Sequence, residues 1–389
     1  MSYLSKNCLT IFKFLMKSKL TIVIVATTAL TIKSFMLNNI KKLSNYHNVL
    51  ITCNNAVSLK KFVPKNVLLV NINFIRKPNL IADIISFFVL LKFFLINKID
   101  LTISISPKAG FITALTSFIA RISYRIHWFT GQFWVTKKGF IRNLYKNLDK
   151  IIFNLSNHVL VDSFSQKKFL IQNNIISKKK STVLLYGSVG GVNIKRFKFK
   201  KKNRDLLRKK LKISKNDFVF LYLGRLNKDK GIVDLIEAFN RIEKKYEASL
   251  VLIGPIEDYN INDFIKKNKK VIYVSETLNP ENWFSIADIL CLPSYREGFG
   301  SVIIEAGSCH LPSLGSNIYG INDAIVNNQT GFLHQVGSIS DIKKKMIFVI
   351  KNKKLLKDCG ISARKRVEKN FDENFVSQKF LEFINSKMS

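Results

Sequence analysis

Residues 287–308 read ADILCLPSYREGFGSVIIEAGS. An apolar run ends at Pro293, a polar and glycine-rich loop follows, and apolar residues then recur at helical spacing as Val302, Ile303 and Ala306. That order predicts strand, loop and helix. It also aims the backbone N–H groups of Gly298, Phe299, Gly300 and Ser301 at whatever lies above the helix N-terminus, a place suited to phosphate. Glu297 and Glu305 stand eight positions apart. On one continuous helix they would be about 12 Å apart, beyond the roughly 5–9.5 Å at which two carboxylates flank a glycosidic bond during hydrolysis. A hydrolase pair is a poor reading of them.

Working outward, similar apolar, β-rich runs recur on both sides. FVFLYLG (218–224), SLVLIG (249–254), KVIYVS (270–275), DILCLP (288–293) and LPSLGS (311–316) form one series. TIVIVA (21–26), VLITC (49–53), NVLLVNI (66–72), DLTISI (100–105), RIHWF (125–129), HVLVDS (158–163) and STVLLYGS (181–188) form an earlier one. Most are separated by helix-length stretches, the alternation of open parallel sheets. The length of 389 residues suggests two domains. The expected layout is a first doubly wound domain over 1–194, a second over 195–372, and a helix over 373–389 packing back on the first. The lysine-rich run KRFKFKKKNRDLLRKKLK (195–212) marks the boundary and reads as a solvated linker and helix face, with an anion-binding patch as the alternative. Two such domains in succession imply a ligand at the carboxyl ends of the strands.

The formal net charge is +37. Residues 1–180 carry 27 Lys and Arg against four acids, Asp83, Asp100, Asp149 and Asp162, a net of +23. Lysine drift explains why Lys outnumbers Arg 51 to 12 but not this scarcity of acids. A basic face expects an anionic partner, a membrane surface or nucleic acid. The second is disfavoured, because no RRM, KH, helix-turn-helix or zinc spacing is present. The five cysteines are scattered without CxxC spacing, which fits reduced thiols and no zinc site. Lys17 and Lys19 ahead of LTIVIVATTALTI (20–32) admit a secretory signal, but a run dense in Ile and Val before a polar turn reads better as a first strand. The apolar stretch Ile84–Ile99 is interrupted by Lys92 and too short to span a bilayer; it reads as a core helix or as one lying on the membrane.

LGRLNKDKG (223–231) sets Arg225 and Lys230 in the loop after the first strand of the second series. Two cations there suit a diphosphate held by charge-assisted hydrogen bonds. Together with EGFGSVIIEA some 70 residues on, and with SISPKAG, RIHWFTGQFW, VLVDSFSQKKFL, GSVGGVNIKRF and TGFL, they make nearly the whole chain resemble the retaining, family 4 glycosyltransferases of GT-B fold, especially bacterial enzymes that build capsule or O-antigen units on a lipid carrier. The resemblance implies an α/β fold of two Rossmann-like domains facing a central cleft. It implies that Arg225 and Lys230 bind the donor diphosphate and that Glu305 takes the ribose hydroxyls. Glu297 and the backbone of Gly298, Phe299, Gly300 and Ser301 would meet the donor hexose and β-phosphate, with His127 near the reacting carbon. Lys108, in SPKAG, is a candidate for the acceptor's phosphate, with plain solvation as the alternative.

The expected activity is sugar transfer with retention of configuration, from a nucleotide donor, UDP by resemblance, to a lipid-linked saccharide at the cytosolic membrane face. No cofactor or metal is expected, since the sequence has no DxD motif, and no nucleic-acid partner. The alternatives are a GT-B nucleotide-sugar epimerase and, more distantly, a basic nucleic-acid-binding protein. Two departures from the family pattern are Asn193, where Asp is common, and His310, where glycine is usual.

Overall fold

A computed structural model describes residues 19–388 apart from 77, 78, 243, 244, 259, 276 and 278. Cys8 and Lys17 lie outside the described residues. Thirteen strands form two sheets. The first has β1 (Thr21–Thr28), β2 (Asn48–Asn54), β3 (Leu68–Asn71), β4 (Leu101–Ile105), β5 (Tyr124–Phe129), β6 (His158–Val161) and β7 (Ser181–Thr182), in the order β3-β2-β1-β4-β5-β6-β7. The second has β8 (Phe218–Leu223), β9 (Ala248–Ile253), β10 (Val271–Val274), β11 (Ile289–Leu292), β12 (Ser313–Ser316) and β13 (Gly331–His334), in the order β10-β9-β8-β11-β12-β13. The strands pair in parallel, β1 with both β2 and β4, and β8 with both β9 and β11. Strands buried on both faces read as unbroken Val, Ile and Leu rather than as alternation. Ile22, Val23, Ile24 and Val25 of β1 are fully buried, so the run ahead of which Lys19 stands is a central strand.

By compactness the chain divides into one unit of residues 1–127 with 155–157 and a second of 128–154 with 158–389. The first unit's core joins Val23 and Val25 to Leu50, Ile72, Phe74, Leu90, Phe94 and Ile112. The second unit's core is built on β8, β9 and β11, with Phe299, Ile303 and Ile304 packed into it. In this second unit the Glu373–Lys387 helix lays Phe380 against Trp128 of β5, 5.3 Å between ring centres, and Phe383 against His158 of β6, 5.4 Å.

Four local readings differ from the sequence. STVLLYGS contributes only Ser181 and Thr182 to the sheet, because Leu185, Gly187 and Ser188 take positive φ and turn the chain away. Gly331–His334, from TGFLH, is a strand that the series of apolar runs did not include, since it is only four residues long and opens on a glycine. The lysine-rich boundary run is not a free linker. Its helix, Lys201–Lys210, buries Arg208, which donates to the carbonyls of Ile286 and Asp217 and pairs with Asp288 at 3.0 Å, while Arg204 takes the other Asp288 oxygen at 2.8 Å. The stretch read as Ile84–Ile99 is a helix over Leu80–Ile96 that buries only Ser86, Leu90 and Phe94 and leaves Leu80, Ile81, Ile85, Phe88, Leu95 and Ile96 exposed. Among the described residues no helix is long and apolar enough to cross a membrane.

Candidate active site

The loop between β11 and the Ser301–Ser308 helix is the centre of the site. Gly300 supplies the helix N-cap with φ of 81°, and no side chain caps the helix. Among the described residues the N–H groups of Phe299, Gly300 and Ser301 donate to no backbone carbonyl outside the helix, so they remain available to an anion. The Phe299 side chain itself is buried against Phe371 and anchors the loop, which leaves its backbone as the part that can meet a ligand.

The loop is fixed by backbone approached at very short range. A Cβ on Gly298 would lie 2.4 Å from Asp162 Oδ2, 2.9 Å from the Gly131 nitrogen and 3.2 Å from the Thr130 carbonyl carbon. One on Gly320, which has φ of 84°, would lie 2.6 Å from the Gly298 oxygen. Gly187 meets the ring of Phe299 in the same way. Ser163 donates its hydroxyl to the Gly298 carbonyl at 2.9 Å.

Lys230 closes a short turn, Lys228–Lys230, capped by Asn227. Its Nζ pairs with Glu297 Oε1 at 2.5 Å, and Ser294 donates to the same oxygen at 2.9 Å. The two loops are laced further by Arg296 with Asp229, by the Tyr295 N–H to the Asp229 carbonyl, and by Tyr295 Oη to Asp234 at 2.6 Å. Arg225, next to Gly224 at the end of β8, pairs instead with Glu257 at 2.7 Å and keeps about a third of its side chain exposed, 35%. The structure thus joins Lys230 directly to the Glu297 loop and holds Arg225 on a separate carboxylate.

Glu305 stands one turn into the Ser301–Ser308 helix. Burial pushes its carboxyl up to about 7, with Arg196 drawing it down and Glu281 raising it further. Among the described residues it accepts no hydrogen bond, while Arg196 pairs with Glu281 at 2.8 Å. Asn193 uses both ends of its amide: Nδ2 donates to Glu373 at 2.7 Å and Oδ1 accepts the Arg196 N–H at 2.8 Å. An Asp here would set two carboxylates together, which accounts for the amide in this chain. His310 adopts φ of 58°, the conformation glycine takes freely. It carries a strain of about 1–2 kcal/mol.

His127 and Lys108 belong to the first unit. His127 is buried, its Nδ1 is 2.8 Å from Ser104 Oγ, and a Cβ on Gly110 would lie 2.3 Å from its ring. Burial lowers its pKa to about 3, so the ring is neutral at physiological pH. Lys108 is engaged by Asp83 at 2.7 Å, a partner on the Leu80–Ile96 helix that the sequence reading did not foresee.

Sequence reasoning missed Asp162 and Ser163, at the end of β6, and Gly131. A lone acid after a strand has no spacing signature, and the signal that exists is its place in VLVDS, at the carboxyl end of a parallel strand. Among the described residues no group of three or more His, Cys, Asp or Glu is arranged to hold a metal.

Residues 203–366 match the model of the glycosyl transferases group 1. The capsular polysaccharide biosynthesis glycosyltransferase CapM of Staphylococcus aureus is 31% identical over 80% of this chain and 83% of its own. The UDP-Gal:alpha-D-GlcNAc-diphosphoundecaprenol alpha-1,3-galactosyltransferase of Escherichia coli is 26% identical over 76% of this chain and 80% of its own. Among solved structures, HepE of Anabaena in complex with UDP and glucose superposes with a TM-score of 0.78 at 17% identity, covering 94% of this chain and all of its own. The structural likeness shows a shared fold of the GT-B type. The chain belongs to the glycosyl transferases of group 1 and is a glycosyltransferase similar to those that assemble capsular and diphosphoundecaprenol-linked saccharides.

Proposed function

We propose that the protein transfers a sugar from a UDP-linked donor to a lipid-linked saccharide at the cytosolic face of a membrane, with retention of configuration and without a metal. The observation that carries this is the Lys230–Glu297 pair beside the open N–H groups of Phe299, Gly300 and Ser301. A cation and a helix N-terminus together compensate the charge of a leaving diphosphate, which is electrostatic stabilisation aimed where charge develops. Glu297, held by Lys230 and Ser294, is left an oxygen for a sugar hydroxyl. The acceptor hydroxyl attacks from the face of departure, and its proton passes to the leaving phosphate. The neutral His127 ring is suited to a hydrogen bond with the donor sugar and not to supplying positive charge. Support for UDP comes from the donor named for the Escherichia coli relative and from the ligand of the Anabaena structure.

Glu305 is assigned to the ribose hydroxyls. A hydrogen bond to a charged group contributes about 1.5–3 kcal/mol, so Glu305→Ala is expected to weaken UDP binding by roughly ten- to a hundredfold. Hydroxyls donate more strongly to the carboxylate than to the acid, which keeps acceptor capacity but no charge. With its pKa raised from 4.5 to about 7, Glu305 loses its charge as pH falls through about 7, and UDP affinity falls with it. Calorimetric titration of UDP across this range checks both statements. Equal affinity in parent and variant would remove the nucleotide assignment.

Attachment to the membrane is assigned to the exposed apolar face of the Leu80–Ile96 helix, aided by basic residues such as Lys137, Lys138 and Arg142. Burying one Ile or Phe side chain contributes about 1.5–3 kcal/mol, and each cation near an anionic surface about 1 kcal/mol. Anchorage through the apolar face resists salt, which screens only the second contribution. The double substitution Ile85→Glu/Phe88→Glu is expected to move most of the protein out of the pellet in vesicle sedimentation, while Lys137→Gln/Lys138→Gln/Arg142→Gln does so only partly. An unchanged pellet for the first variant would exclude this helix.

A further inference from the structure

Beneath the Gly298 peptide, at the end of β6, lies Asp162, only 5% exposed. Its backbone is fully committed: the N–H donates to Gln166 Oε1 at 3.0 Å and the carbonyl accepts the Ser188 N–H at 2.8 Å. Its carboxyl is not. Oδ1 has no hydrogen-bond partner among the described residues, and Oδ2 lies where a Gly298 Cβ would be 2.4 Å away. Trp128 Nε1 approaches the carboxyl without reaching hydrogen-bond geometry and is itself unpartnered, as is Ser188 Oγ. An unpaired buried carboxylate would be costly, whereas a carboxylic acid fills the same space as a neutral group.

We infer that Asp162 is a positioning residue for sugar transfer: as a neutral acid it supports the Gly298 peptide from below and fixes the direction of the Glu297 side chain and of the N–H groups that follow it. This rests on the assignment of that loop to the donor. The groups around Asp162 are consistent with neutrality. Glu297, itself paired with Lys230, is the charged group that acts on it; Trp128 on β5, Gln166 on the Phe164–Gln172 helix and Ser188 carry no charge. Burial raises the Asp162 pKa to about 8 against the pull of the Trp128 indole, and the charge of Glu297 adds a smaller push in the same direction as burial. Above that pH a second negative charge develops beside Glu297 and pushes the loop away.

The test needs no donor. Amide hydrogen exchange of the segment 294–308, followed by mass spectrometry and corrected for the intrinsic dependence on pH, reads the support of the loop and of the helix it begins. In the parent, protection is expected to fall at least fivefold as pH rises through about 8. Asp162→Asn keeps the shape without the charge; it is expected to hold protection within threefold of the parent near neutrality and to lose the alkaline fall. Asp162→Ala is expected to lose protection tenfold or more in this segment while the Lys201–Lys210 helix is unchanged. An alkaline fall that persists in Asp162→Asn, or full protection in Asp162→Ala, overturns the inference. UDP titration of the same proteins separates the two questions, since absence of UDP binding in all of them would overturn the donor assignment and leave the exchange result standing.

Discussion

Replacing Lys230 by alanine is expected to lower turnover by about 10²–10³-fold, the usual loss when one preorganised donor is removed from a developing anion. In the structure the ammonium is paired with Glu297, and both side chains are mostly buried, 18% and 15% exposed. Coulomb attraction in such a place is worth several times its value in water. Without Lys230 the diphosphate meets the Glu297 carboxylate with the helix N-terminus and Arg225, itself shared with Glu257, left to offset it. Lys230→Arg should recover only part of the loss, because a planar fork does not replace a compact point charge. The fold should survive, as Ser294 still donates to Glu297. The same arrangement predicts turnover that is unaffected by EDTA. Steady-state rates on a UDP-sugar decide it: turnover within threefold of the parent in Lys230→Ala, or loss in EDTA restored by manganese, would mean that the leaving group is stabilised elsewhere.

Gly298→Ala is the second large effect. Of the three contacts its methyl would make, at 2.4, 2.9 and 3.2 Å, only the first is with a side chain; the others are with the backbone of Gly131 and Thr130, which cannot rotate away. The loop must shift. Overpacking of this kind costs about 1–3 kcal/mol in stability, and a displacement of about 1 Å in a positioned group costs roughly 10²-fold in rate. Thermal unfolding and turnover measured together check it, with a lower melting temperature and a turnover loss near a hundredfold expected. Parental turnover would show that the loop does not position the reaction.

The sheets were legible because their strands are buried on both faces and therefore written as unbroken Val, Ile and Leu, as in β1 and β9. The strand, loop and helix order around Pro293 was legible for the same reason, and it located Gly298 to Ser301 and Glu305 correctly on a loop and a helix. What escaped depends on partners distant in sequence. Arg204 and Arg208 look like solvated charges until Asp288 is brought to them from about 80 positions away. Lys108 looks free until Asp83 reaches it. Asp162 carries no pattern at all, since its role arises from what lies above it. The Leu80–Ile96 helix could not be assigned to core or surface, because an apolar composition all around gives no periodicity to read.

The glycines at 131, 187, 298 and 320 have a consequence for how this protein can change. A clash between two side chains can be relieved by shrinking either one, so most packed positions can be exchanged in pairs. Here the opposing atoms are largely peptide backbone, and each of these residues already has the smallest side chain there is. No second substitution can make room for a first. In a random library selected for activity, these four positions should therefore return as single-letter columns with no compensating pairs; altered donor preference would have to be sought in the side chains around the loop and not in the loop itself.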